Sequence, residues 1–397
     1  MPSNQSPYKF TKSGLSLIFT SFLIVITPLI VIPGISHLIW KVKPSSKMDI
    51  LVIDKTVPDK SRLEHRSFFW ALKHLRIKRQ DGAFYQYDKD YLGFYPKKDG
   101  NHKVKSLRYY SDEKIDSISK ALDVLYLADT YGVYESDFND QSELEFSRKI
   151  YGGLSSNDLK LTQKVIDAEG LLIAEFNSIG APTSFAFRTQ FEKMMNFKWT
   201  GWISRYFDEL NPELNEEIPE WLINNYKEQH NGIWEFEGAA QVFVSEEGRI
   251  EVLKYGEDIS NQVPKVISTL QSQQKFDIPK ETNYPYWFEI LRIDRSYEVI
   301  SYIDMAPTKS GEEKLREMGL PRYFPATIVR NNGKGKIYYF TGDYADNPIP
   351  LSSAPFFGVP TIYKLVNDKN DYSNRTSFYW NYYFPLIKEI LEEHSLN

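Results

Sequence analysis

The sequence predicts an α/β fold: an N-terminal membrane-spanning helix, then a parallel sheet flanked by helices, with an inserted β-rich lobe. Three observations lead there. Ser13–Trp40 is an uncharged, largely apolar run between Lys12 and Lys41, longer than the roughly 20 residues that cross a hydrocarbon core as a helix. Short apolar runs alternate with segments of helical periodicity, the pattern of a parallel sheet with crossover helices. Beyond residue 199 that alternation gives way to paired β runs around turn residues. The expected boundaries are 1–43 for tail and anchor, 48–198 for the α/β domain, 199–325 for the β-rich insertion or second lobe, and 326–397 for a closing hairpin and helix.

The first element reads as an uncleaved, single-pass anchor. A signal peptide has an apolar core of about 7–15 residues and small residues before its cleavage site. This run is longer, and its exit, Ile35–Trp40, has no such pattern. Trp40 stands where an interfacial aromatic belongs. Pro28 and Pro33 lack ladder donors, so a kink or an end is expected near Pro33. Lys9 and Lys12 precede the run and Lys41, Lys43 and Lys47 follow it, so charge does not set its orientation. The large domain is assigned to the extracytoplasmic side, a placement that the absence of cysteine suits.

Next come the α/β elements. Met48–Asp54 is a short buried strand, and Ser61–Ile77 a helix with Leu63, Phe68, Leu72 and Leu75 near helical spacing. Residues 83–100, rich in Tyr, Asp, Gly and Lys, read as loop, and Leu107–Tyr110 as a strand. Asp112–Ala121 is a helix capped by Ser111 or Asp112. Asp123–Asp129 is the second clear strand; a polar loop follows to Gly152-Gly153, then the helix Ser156–Glu169, stopped at Gly170. Leu171–Glu175 is the third strand, and Thr183–Asn196 a further helix.

The later part is read as strands. Trp199–Glu237 is aromatic and irregular, apart from a short helix at Pro219–Glu228. Ala240–Val244 with Ile250–Leu253, and Trp287–Ile293 with Glu298–Ile303, read as β pairs. Ala326–Val329 and Lys336–Phe340 flank an Asn-Asn-Gly turn and form the strongest hairpin signal. Ser377–Glu393 closes the chain as a helix.

Composition bounds the function. A net charge of −5 and the lack of a dense basic block exclude a dedicated nucleic-acid binder. With no cysteine, disulfides, thiolate catalysis and cysteine metal sites are all removed. No Walker or G-x-G-x-x-G spacing and no G-x-S-x-G elbow occur, so no cofactor is expected and the commonest serine hydrolase is ruled out. The 27 Tyr, 25 Phe and 8 Trp suit either a large core or surfaces that stack on sugars and proteins. The cluster Trp199, Trp202, Arg205 and Tyr206 can do either.

Four features of residues 48–200 resemble the class I glutamine amidotransferase-like superfamily, whose fold is flavodoxin-like. They are the first strand ending at Asp54, the strand Asp123–Asp129, Gly152-Gly153 before a helix, and the strand Leu171–Glu175 entering a sharp turn. The resemblance implies a nucleophilic cysteine on that turn, with His and Glu downstream. Here the turn reads Glu175-Phe176-Asn177 and the chain has no cysteine, so thioester chemistry is excluded. The segment Tyr338–Asp346 resembles the closing segment of membrane-anchored relatives of the fold.

In open parallel sheets ligands bind beyond the carboxyl ends of the strands. Asp54, Asp129, Tyr131, Glu175 and Asn177 follow early strands, and Asp343 and Asp346 follow the last. Glu175, Asp129 and Asp343 are the catalytic candidates, because paired carboxylates divide acid and base roles. The same groups can instead hold a hard cation, cap helices or stabilise turns; no metal site is assigned. Tyr131, Asn177, Thr183, Arg188 and Asp346 are the ligand-binding candidates, with Arg188 also a candidate ion-pair partner for Glu175. His65 and His74 lie nine apart and do not share a helix face. The leading expectation is a membrane-anchored, amidotransferase-like domain without the nucleophile, binding a cell-envelope saccharide or a partner protein. The alternatives are a carboxylate-dependent hydrolase of envelope polysaccharide and an accessory subunit of a membrane synthase or transporter.

Overall fold

A strand that is apolar at every position needs cover on both faces, because successive side chains point to opposite sides. The computed structural model, which describes residues 19–21, 26–97, 101–138, 147–367 and 371–396, supplies that cover. Strands β1 (Ile50–Asp54), β2 (Tyr91–Pro96), β3 (His102–Lys105), β4 (Val124–Asp129) and β5 (Leu171–Ala174) belong to one sheet. So do β9 (Lys265–Ser268), β10 (Glu281–Asn283), β12 (Glu298–Asp304), β13 (Phe324–Asn332) and β14 (Gly335–Phe340). The order across this ten-stranded sheet is β10-β9-β12-β13-β14-β5-β4-β1-β2-β3.

The contiguous strands β14-β5-β4-β1-β2 are parallel. The chain runs from β1 outward to β2, then returns to β4 on the other side of β1, so the order reverses between β1 and β4. Val52, Tyr126, Ile173 and Tyr338 face one core with helices α2 (Leu63–His74) and α7 (Phe384–Leu396). Ile53, Leu125, Leu172, Ile337 and Tyr339 face the other. Helices α3 (Asp112–Ala121), α4 (Ser156–Asp167) and α5 (Phe185–Met195) cover that second face through Ile115, Leu159 and Phe191.

The second sheet contains β6 (Phe197–Phe207), β7 (Ala240–Ser245), β8 (Ile250–Lys254) and β11 (Phe288–Ile293), in the order β8-β7-β6-β11. Trp202, Phe243 and Phe288 join the first core, whereas Val242, Val244 and Ile250 pack with α6 (Glu220–Gln229). Residues 199–325 are thus divided between both sheets. The stretch read as irregular contains the long strand β6, whose register on β11 breaks between Trp199 and Ile203. The stretch read as loop contains β2, and Leu107–Tyr109 is a 3-10 turn. Phe288–Ile293 and Glu298–Asp304 do not pair; they lie in different sheets.

The N-terminal anchor requires correction. Among the described residues no helix is long and apolar enough to cross a membrane. The single-pass span over Ser13–Trp40, and the extracytoplasmic placement built on it, are overturned by that finding; residues 13–18 and 22–25 of the run lie outside the described residues. Prolines at 28 and 33 interrupt the ladder, and the segment divides into a π-helical turn Thr27–Val31 and helix α1 (Ile32–Val42). The end of α1 docks on the protein. Trp40 is buried and donates Nε1–H to His74 O at 3.0 Å, and Arg76 lies over its ring at 4.9 Å. Ser36 Oγ donates to Phe357 O at 2.7 Å.

Candidate functional site

Strands β1, β4, β5 and β14 are neighbours and parallel, so the residues that follow them share one edge. Asp54, Asp129, Glu175 and Asp343 all lie there. Their surroundings differ sharply.

Asp54 is buried. Its Oδ2 contacts His65 Nδ1 at 2.5 Å, while His65 Nε2 contacts Tyr87 O at 2.8 Å. Burial raises the Asp54 carboxyl from its ordinary range, against the lowering effect of His65. Asp129 accepts from Thr56 Oγ1 at 2.5 Å, Tyr131 N at 2.6 Å and Asn177 Nδ2 at 3.0 Å. Burial pushes it up to about 7, with Asp54 adding to the rise. Glu175 is fully enclosed: it accepts from the Tyr126 hydroxyl and from the backbone N–H groups of Tyr344 and Ala345 at 3.2 and 3.1 Å. Burial raises its carboxyl to about 8.

The expected ligand-binding residues separate likewise. Asn177 sits in the left-handed region at φ +64° and reaches Asp129. Thr183 Oγ1 accepts from Leu154 N at 3.0 Å. Arg188 pairs with Glu246 and stacks over Trp199 at 5.2 Å, so it is not the partner of Glu175. Tyr131 is partly exposed, and its backbone N–H is held by Asp129. The Gly152-Gly153 pair makes a tight turn against the loop after β4. A Cβ at Gly152 would lie 2.4 Å from Tyr131 O, and Gly153 N donates to Thr130 O at 2.7 Å.

Asp343 and Asp346 stand apart because both border a cavity of about 590 Å³. Its wall includes Arg205, Tyr206, Tyr286, Trp287, Tyr372 and Arg375. Arg375 pairs with Asp346 at 2.7 Å and lies over the Tyr286 ring at 4.6 Å. Arg205 pairs with Glu217 and lies over Phe207 at 4.7 Å. Just before Asp343, Gly342 leaves room for the Tyr284 ring, since a Cβ there would meet its hydroxyl at 2.3 Å. Glu64, at the start of α2, completes an acidic group: one carboxylate oxygen from each of Glu64, Asp343 and Asp346 lies within 4.8 Å of the others. Burial and the Asp346 charge raise the carboxyls of Glu64 and Asp343 well above their ordinary range.

Sequence reasoning found Asp343 and Asp346 but missed Glu64, Tyr286, Trp287, Tyr372 and Arg375. Arg205 and Tyr206 of the aromatic–basic cluster line the cavity, whereas Trp199 and Trp202 do not border it. The Glu64-His65-Arg66 run at a helix start was the one local signal for Glu64.

No protein-family model and no curated protein matches the sequence. Distant likenesses exist among solved structures. A β-galactosidase from Bacillus circulans sp. alkalophilus aligns at TM-score 0.35 and 10% identity, over 78% of this chain and 31% of that one. The cytoplasmic protein STM1381 of Salmonella typhimurium aligns at TM-score 0.35 and 11% identity, over 87% of this chain and 99% of its own. A ThuA-like protein from Bacteroides uniformis aligns at TM-score 0.36 and 7% identity, over 86% and 93%. This chain therefore spans under a third of the β-galactosidase. Likenesses at this level do not identify a function.

Proposed function

We propose that this chain is an amidotransferase-like α/β protein without the nucleophile, and that it binds a saccharide in the cavity beside Asp343 and Asp346. The observation that carries the reading is the cavity wall itself. Rings of Tyr206, Tyr286, Trp287 and Tyr372 stand beside the carboxylates of Asp343 and Asp346 and the guanidinium groups of Arg205 and Arg375. Sugars present apolar C–H faces and a rim of hydroxyls. Aromatic faces suit the first, and charged groups hydrogen-bond the second. The order of the five parallel strands supports the amidotransferase-like part, since the cavity lies at the carboxyl edge where such sheets bind ligands. The hydrolase alternative would fall to Asp343 and Asp346, because neither Glu175 nor Asp129 borders the cavity.

The test is a glycan-array screen of the full chain, followed by calorimetry on any hit. Trp287→Ala is expected to weaken binding by roughly tenfold, since a buried stacking contact contributes about 1–3 kcal/mol. Unchanged affinity in a folded Trp287→Ala variant would place the ligand elsewhere, and a screen with no hit would remove the saccharide reading.

A further inference from the structure

We propose that Glu64, Asp343 and Asp346 bind a hard divalent cation of the calcium or magnesium class beside the cavity. The three come from two separate places in the fold. Glu64 lies in the first turn of α2, and the two aspartates follow β14. One oxygen from each lies within 4.8 Å of the other two. Ligands of a single ion at metal–oxygen distances of about 2.3–2.6 Å occupy that spacing.

A second observation points to a missing partner. Asp346 is 9% exposed and gives Oδ2 to Arg375, yet its Oδ1 is buried with no hydrogen-bond partner. Native structures rarely leave such an atom unsatisfied. Charge is also unbalanced: among the described residues, Arg375 is the cation that pairs with this group, against three carboxylates. Asp129 and Asp54 add to the negative field at Glu64. Calcium takes 6–8 oxygen ligands, so three carboxylates leave positions open to water or to hydroxyls of a molecule in the cavity. The cation site does not depend on the saccharide reading.

The experiment titrates calcium chloride and magnesium chloride separately into the chelator-stripped full chain, by calorimetry and by thermal melting. The wild type is expected to show saturable binding and a rise in Tm with at least one of them. Glu64→Gln and Asp343→Asn, on different elements, should each weaken binding by roughly tenfold or more. Without metal these variants should melt close to wild type, because each replaces a carboxyl with an amide of the same size. The exposed Glu220→Gln should bind as wild type does. Absence of saturable binding by either ion in the wild type would overturn the proposal. So would undiminished binding in both folded site variants, or its loss in Glu220→Gln. Saccharide binding, measured apart, can fail or succeed independently.

Discussion

At the scale of single residues, four carboxyl groups at one sheet edge have different fates because their donors differ. Glu175 has its oxygens filled by a tyrosine hydroxyl and two backbone N–H groups. Glu175→Ala would leave those donors buried without an acceptor, at a cost of about 3 kcal/mol in denaturant unfolding. Glu175→Gln should retain most of the stability at neutral pH, since the carboxyl, raised to about 8 from 4.5, largely holds its proton there. A raised folded-state value means that the folded protein binds the proton more tightly. The stability so gained is complete below pH 4.5 and lost as pH rises through about 8. Wild type should therefore lose stability relative to Glu175→Gln across that window, which parallel melts at several pH values would measure. A constant difference would show that Glu175 does not titrate there.

At the scale of elements, the attachment of α1 rests on contacts of Ser36, His37 and Trp40. Trp40 is buried against His74 and Arg76, while Ile35, Leu38 and Val42 on the same helix are exposed. Trp40→Ala removes the buried ring and its hydrogen bond, a loss of the order of 3 kcal/mol. With only the Ser36 and His37 contacts left, α1 should detach more often. Limited proteolysis is expected to cut between Lys41 and Lys47 faster in the variant, while residues downstream stay protected. Equal cutting rates would mean that the contacts between Ser36 and Phe357 suffice to hold the helix.

At the scale of the whole molecule, two sheets share one core. Trp202, Phe243 and Phe288 from the four-stranded sheet pack in the same cluster as Val52, Tyr126 and Tyr338 from the ten-stranded one. Phe288 also bridges to Gly342, beside the cavity. Unfolding either sheet alone would expose apolar surface of the other, so the two should melt together. Tryptophan fluorescence and far-ultraviolet circular dichroism are expected to give coincident transitions. Separated transitions would show that the second sheet unfolds by itself.

What the sequence by itself determined is local. Ser111 and Ser155 cap α3 and α4 through bonds to backbone N–H groups three residues on, and capping needs no distant partner. The two-residue turn Gly333-Lys334 joins β13 and β14 just after Asn331-Asn332 for the same reason. The runs of β1, β4 and β5 are apolar at successive positions because both faces are covered. Tertiary structure decided the rest. Strands β2 and β6 were illegible because Gly93, Pro96 and Gly201 break their local pattern, while pairing with neighbours makes them strands. A long apolar run looked like a span, but burial of Trp40 on the protein depends on His74 and Arg76, which sequence hydropathy does not weigh. The cavity draws on residues near 205, 286, 343 and 375, and the acidic group beside it adds Glu64. Only packing could bring those segments together, because charge and ring contacts across such separations leave no trace in local periodicity.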